Sequence, residues 1–188
     1  LPKTEGAASD AGCMPDELLE RYVREQIAAS PTERIRFSWH GGEPTLVGLD
    51  FFERAVAFQK KNRPRGRTIQ NGIQTNGTLL TDEWCEFFVE HNFLIGISID
   101  GPRELHDAYR VDKRGRGSFD RVMAGYEHLV AAGVEVNVLC TVHAANQDHP
   151  VTLYRFFRDE LGAQFVQFIP IIERTTPETL PQANKGWG

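Results

Sequence analysis

From residue 14 to residue 171 the chain alternates between two apolar spacings: stretches of helical periodicity, and short runs nearly continuous in apolar residues. Leu18, Leu19, Tyr22, Val23 and Ile27 share one face of a helix predicted over 14–29. Pro15 suits its first turn, and Asp16 and Glu17 sit favourably against the helix dipole. Strands are predicted over 35–39, 68–74, 93–100, 134–142 and 165–171, with helices over 50–61, 81–91, 118–132 and 151–161 between them. Strands this continuously apolar are buried on both faces, so the order implies an α/β fold with a parallel sheet covered by helices. Periodicity alone does not choose between an open sheet and a barrel.

A chain of 188 residues has the length of one ordinary domain, and 40% hydrophobic with 25% charged residues is the composition of a folded protein. Residues 1–13 are polar, small and aperiodic and read as a flexible segment. Residues 14–174 form the core, and 175–188, with Pro177, Pro181, Gly186 and Gly188, reads as a linker or truncated continuation. The net charge of −5 gives no general attraction to polyanions. Two basic clusters interrupt it, Lys60, Lys61, Arg63, Arg65 and Arg67, then Arg110, Lys113, Arg114 and Arg116. The first has no interleaved aromatic residues and reads as a solvated loop, which disfavours nucleic acid as a partner. No apolar run approaches the roughly 20 residues of a membrane helix, and no signal-peptide core is present, so no membrane association and a cytoplasmic location are expected. Cys13, Cys85 and Cys140 are odd in number and widely spaced, as reduced thiols rather than a disulfide framework.

In parallel α/β proteins chemistry gathers at the carboxyl ends of the strands. The first predicted strand runs directly into His40-Gly41-Gly42-Glu43-Pro44. Its glycines permit close backbone approach, and Pro44 biases Glu43 toward an extended conformation, so the turn can present a carboxylate and carbonyls to an ammonium group. The next strand ends in Gln74-Thr75-Asn76-Gly77, which is equally well a plain turn with Thr75 as a cap. The third ends in Ser98-Ile99-Asp100-Gly101-Pro102, followed by His106-Asp107-Ala108-Tyr109-Arg110. Arg110 by a bidentate pair and Ser98 by a hydrogen bond can hold a carboxylate, although an arginine in such a place is more often a surface salt-bridge residue. Together, Glu43 for an ammonium and Arg110 with Ser98 for a carboxylate make a clamp for an amino-acid-like ligand.

These motifs resemble the radical S-adenosylmethionine (SAM) superfamily, whose methionine-ammonium motif matches Gly41-Gly42-Glu43-Pro44. The wider text, from Phe37 to Leu46, Ile73 to Leu80, Ser98 to Pro102, then Gly117-Ser118-Phe119-Asp120 and Phe168-Ile169-Pro170, is similar to the anaerobic sulfatase-maturating enzymes. The resemblance covers about Met14 to Arg174. It implies a partial (β/α)6 TIM-like barrel with its first strand missing. SAM would be bound by Gly41, Gly42 and Glu43 at its ammonium, by Ser98 and Arg110 at ribose or carboxylate, and near Ile171 on the adenine side. His40 stands where relatives often have glutamine, on the substrate side. The implied reaction is reductive cleavage of SAM and oxidation of a sulfatase cysteine or serine to formylglycine, with a sulfatase polypeptide and a reducing electron donor as partners.

The family's [4Fe–4S] cluster is ligated by a Cys-x-x-x-Cys-x-x-Cys loop, and nothing in this sequence matches it. Cys13, Cys85 and Cys140 read as structural or incidental thiols, no metal ligand is assigned, and no residue is assigned as catalytic. This segment alone is therefore expected to be inactive. Other readings are a different radical SAM peptide-modifying enzyme, a non-catalytic SAM-binding remnant, and a metal-dependent barrel hydrolase using His40, Glu43, Asp100, His106 and His143. The last lacks a recognised ligand spacing.

Overall fold

A computed structural model of the chain describes residues 13–171. Of the segment 1–13 it describes only Cys13, and the linker expected over 175–188 lies outside the described residues. Five strands, β1 (Arg34–Trp39), β2 (Thr68–Thr75), β3 (Leu94–Ser98), β4 (Val136–Val142) and β5 (Val166–Pro170), form one sheet in the order β1-β2-β3-β4-β5. The registers Thr75↔Ile97, Ser98↔Leu139 and Val142↔Pro170 are parallel and bring the carboxyl ends of β2 to β5 to one edge. The helices are α1 (Asp16–Ala29), α2 (Leu49–Asn62), α3 (Asp82–Glu90), α4 (Arg103–His106), α5 (Phe119–Ala131) and α6 (Pro150–Arg155). The predicted alternation is therefore present, with every predicted strand in place. The short α4, and a 3-10 turn over Pro44–Val47, carry too few residues to show a period.

The described chain divides into two compact units. The first runs to Phe37 and adds Val47–Ile69; the second takes Ser38–Leu46 and continues from Gln70. In the first unit α1 turns Leu19, Val23 and Ile27 inward, α2 turns in Phe51, Phe52, Ala55 and Val56, and Tyr22 meets Phe37 edge to face. Burying one such side chain contributes about 1.5–3 kcal/mol, so these faces hold the helices in place. Arg67 closes this unit: Nη1 donates to Ile27 O (2.9 Å), Nη2 to Ser30 O (2.6 Å) and Nε to Thr32 O (3.2 Å). These carbonyls lie at and just past the end of α1, so the guanidinium both satisfies them and faces the negative end of the helix dipole. The basic cluster read as a solvated loop thus contains a structural clamp, and Lys61 pairs with Glu20 at 2.7 Å.

The second unit is built on Ile73, Ile95, Ile97, Ile99 and Val138, with Phe88, Leu129 and Phe157 supplied by the helical segments. Its third strand is shorter than predicted. Ile99 still donates its N–H to Leu139 O (3.0 Å); after it the backbone turns away, and the N–H of Asp100 donates to His106 Nδ1 (3.2 Å). Gly101, at φ +126°, lies against Leu153, where a Cβ would come within 2.4 Å of Cδ2; only glycine makes this exit. α5 approaches the loop after β2 so closely that a Cβ on Gly125 would stand 2.1 Å from Gly77 O. The helix predicted over 151–161 is α6 continued by a π-helical turn, Phe156–Glu160, which Tyr126 ties down through a hydrogen bond from its hydroxyl to Leu161 O (3.0 Å).

A candidate ligand site at the strand ends

The turn after β1 holds Gly41 at φ +99° and Gly42 at φ +57°, with open space where their Cβ atoms would be. Glycine serves conformation here, not crowding. The turn delivers Glu43 to the loop after β2, where one carboxylate oxygen accepts from Thr45 N (3.1 Å), Thr45 Oγ1 (2.7 Å) and Thr75 Oγ1 (2.7 Å). The other oxygen accepts from Asn76 N (2.7 Å). The carboxylate is thus held in a fixed orientation, with lone pairs of its second oxygen still able to accept. Thr75 also accepts from Gly77 N (3.0 Å), and the Asn76 side chain accepts from Thr78 N and Oγ1. The Thr75-Asn76-Gly77 sequence is therefore both a turn and the seat of Glu43.

Arg110 is anchored differently from the sequence expectation. Its bidentate face, Nε and one Nη2 hydrogen, is turned to the carboxylate of Asp100, and Nη2 also reaches Thr141 Oγ1 (3.2 Å). Asp100 is 1% exposed and accepts from Thr141 N as well (2.8 Å). Its backbone carbonyl accepts from Asn146 Nδ2 (3.0 Å). A guanidinium carries five N–H donors; the Nη1 pair of Arg110 has no partner among the described residues. Breaking such a buried pair by removing one partner strands a charge, so Asp100 both anchors and orients Arg110.

A cavity of about 310 Å³ lies here, lined in part by Asn76, Thr78, Arg110, Ser118 and Arg121. It brings together Asn76, whose N–H holds Glu43, and Arg110; Glu43, Asp100 and Thr141 are not in its lining. Ser98, at the end of β3, is not in its lining, whereas Ser118 is. Ile171 follows β5, with its N–H on Val142 O (3.1 Å), and His40 is exposed; neither lines this cavity. Arg114 and Arg116, from the second basic cluster, turn their N–H groups onto Asp112, and the Arg116 guanidinium joins them at 2.9 Å. Those bonds, those from Arg116 above all, hold the Asp112 carboxyl down at about 2.

Two histidines escaped assignment to the site, although both were considered as metal ligands. Burial pushes His106 down to about 4, and it also pushes His143 down. His143 Nδ1 accepts from Ala145 N (3.2 Å), which leaves the proton on Nε2. That N–H is buried without a hydrogen-bond partner among the described residues, 3.8 Å from Asp100 Oδ2. No sequence signal distinguishes these histidines from core ones; the motif of residues 100–110 marks only their neighbourhood.

The donor set does not fit an iron–sulfur cluster: among the described residues no group of three or more His, Cys, Asp or Glu is placed to hold a metal. Cys85 and Cys140 are buried, and burial pushes their thiols up to about 11 and about 12, the reverse of what thiolate ligation needs. Glu43 and Arg110 each supply chemistry suited to one end of a zwitterionic amino-acid group: acceptor capacity on the carboxylate, and N–H donors without a partner among the described residues on the guanidinium.

A family model described as the radical SAM superfamily matches residues 8–157. The chain is 50% identical over 161 residues to the serine-type anaerobic sulfatase-maturating enzyme of Bacteroides thetaiotaomicron, covering 86% of this chain and 38% of that protein. It is 40% identical over 162 residues to the cysteine-type enzyme of Clostridium novyi, covering 86% of this chain and 43% of that one. It thus spans about two fifths of these relatives' length. Among solved structures, native anSMEcpe with bound AdoMet superposes with a TM-score of 0.83 at 35% identity, covering 90% of this chain and 47% of that one. The same protein with bound AdoMet and Kp18Cys peptide gives 0.81 at 37% identity, over 85% of this chain and 44% of that one. The fold is therefore the α/β partial barrel expected from the resemblance.

Proposed function

Since the chain belongs to the radical SAM superfamily, we propose that it forms part of the SAM-binding barrel of an anaerobic sulfatase-maturating enzyme, which oxidises a sulfatase cysteine or serine to formylglycine. The observation that carries this reading is the pairing, at one set of strand ends, of an oriented carboxylate with an anchored guanidinium whose Nη1 donors are unspent. Gly41, Gly42 and Glu43 receive the ligand ammonium through the turn's carbonyls and the free lone pairs of the carboxylate. Arg110 receives the carboxylate by its Nη1 edge rather than by a fork, because Asp100 already takes the fork. Ser98 and Ile171 are proposed on the ribose and adenine sides, and His40 toward the substrate.

Bound SAM supplies the hydrogen-abstracting chemistry; the chain's own residues bind it, orient it and shield it. Relatives of both the serine and the cysteine type match, which supports a sulfatase polypeptide as substrate with either residue as target. The cluster donors are not among the described residues, so this segment by itself is proposed to bind SAM without turning it over. A reducing electron donor belongs to the same reading. So does a cytoplasmic location: among the described residues no helix is long and apolar enough to cross a membrane, and the free thiols Cys13, Cys85 and Cys140 suit a reducing compartment.

Calorimetric titration of the chain with SAM tests the clamp. Glu43→Gln and Arg110→Lys should each weaken binding about tenfold, the worth of one charge-assisted hydrogen bond. Undiminished affinity in both variants would remove the assignment.

A further inference from the structure

His106 is fully buried, at 0% exposure, and does not itself line the cavity. Its hydrogen bonds define one tautomer. The N–H of Asp100 donates to Nδ1 (3.2 Å), so that nitrogen carries a lone pair and the ring's proton sits on Nε2. Nε2–H then donates to Ser118 Oγ (3.1 Å), whose hydroxyl donates to Arg110 O (2.9 Å). The Arg110 peptide is held on its other side too, with Arg110 N on His106 O (3.0 Å), and its carbonyl also accepts from Ser118 N (3.1 Å). The guanidinium of Arg110 returns to Asp100, which closes a ring of hydrogen bonds: Asp100 carboxylate, Arg110, Ser118, His106, and the Asp100 N–H.

We propose that His106 is a positioning residue which, as a single neutral tautomer, holds both ends of the Asp100–Arg110 segment and so fixes where Arg110 presents its Nη1 donors to a ligand carboxylate. The claim rests on the SAM reading above and names a residue that reading does not use. A donor on Nδ1 would face the Asp100 N–H, so the imidazolium breaks the ring at its first link. The burial that pushes His106 down to about 4 acts in the same direction, against partial compensation from Asp100 and Asp107 and reinforcement from Arg110 and His143. Asp107 is committed elsewhere, accepting from Phe119 N (2.9 Å) at the start of α5, so it fixes the far end of the loop rather than the imidazole.

A residue that only filled the core would support every part of the ligand equally, whereas a positioning residue for Arg110 affects the carboxylate alone. The full chain is therefore titrated with two probes: S-adenosylhomocysteine, which carries the amino-acid carboxylate, and 5′-methylthioadenosine, which lacks it. His106→Phe keeps the ring's bulk and removes both bonds; it should weaken S-adenosylhomocysteine about tenfold and leave 5′-methylthioadenosine unchanged. Ser118→Ala removes only the relay to Arg110 O and should act in the same sense, by about threefold. On the unsubstituted chain, long-range ¹H–¹⁵N correlation should show His106 protonated at Nε2 alone. Equal weakening of both probes, no weakening of either, or an Nδ1–H tautomer overturns the role of His106 while leaving the SAM reading intact. An unsubstituted chain that binds both probes with the same affinity, or neither, overturns the carboxylate assignment of Arg110 itself, and this inference with it.

Discussion

Arg67 and Arg110 are each anchored by several hydrogen bonds, and their surroundings separate a structural arginine from one fit to bind. Arg67 gives its guanidinium entirely to backbone carbonyls, at Ile27, Ser30 and Thr32, with donors from Nε, Nη1 and Nη2 all engaged. Arg110 gives one face to the buried Asp100 and to Thr141, and its Nη1 pair has no partner among the described residues. The first has all three of its nitrogens engaged within the fold. The second is half committed, and that half aims the rest.

The comparison predicts unequal consequences. The largest is at the strand ends: Asp100→Ala leaves Arg110 without its buried partner and should cost about 3–5 kcal/mol in urea unfolding. A loss below that of a surface pair would show that Asp100 does not anchor Arg110. Next is acid. His106, at about 4 in the fold against 6.5 ordinarily, stays neutral in the fold where the unfolded chain takes up a proton. Stability should therefore be fully present above about pH 6.5 and fall as the pH drops toward 4, by about 3 kcal/mol in total, with His143 contributing in the same direction. Thermal melts of His106→Phe should lose most of that slope. Arg67→Met should cost about 2 kcal/mol by stranding carbonyls at the end of α1, equally at pH 5 and pH 8, and leave SAM affinity unchanged. A change in SAM affinity there would erase the distinction drawn between the two arginines. Smallest, Thr141→Val should cost about 1 kcal/mol, since Asp100 retains the backbone N–H of residue 141.

The frame of the molecule was legible because its signals are periodic. Leu19, Val23 and Ile27 bury as a helical face, and every predicted strand is present within a few residues. Glu43 was legible for a different reason, as a carboxylate on a glycine-proline turn at a strand end. What it rests on was not: Thr75 and Asn76 look like any turn, and Thr45 is an unremarkable residue in a 3-10 turn. For Arg110, spacing gives no sign that its bidentate face would be taken by Asp100, ten residues earlier. Nor does it single out Arg67 from its basic neighbours. Both depend on contacts across 10 to 40 residues, which only the folded backbone brings about.

Gly125 has a consequence of another kind. Its missing side chain is the space that the carbonyl of Gly77 fills, one residue after the Asn76 N–H that holds Glu43. A larger residue at 125 has to push that carbonyl and so disturb the seat of the carboxylate from the far side of the chain. Positions 77 and 125, 48 residues apart in sequence, therefore constrain each other's history: neither the turn nor the helix can drift or be transplanted into another barrel without the other. Gly125 has no group in the cavity, yet it still limits which variants of the turn at Asn76 and Gly77 can fold.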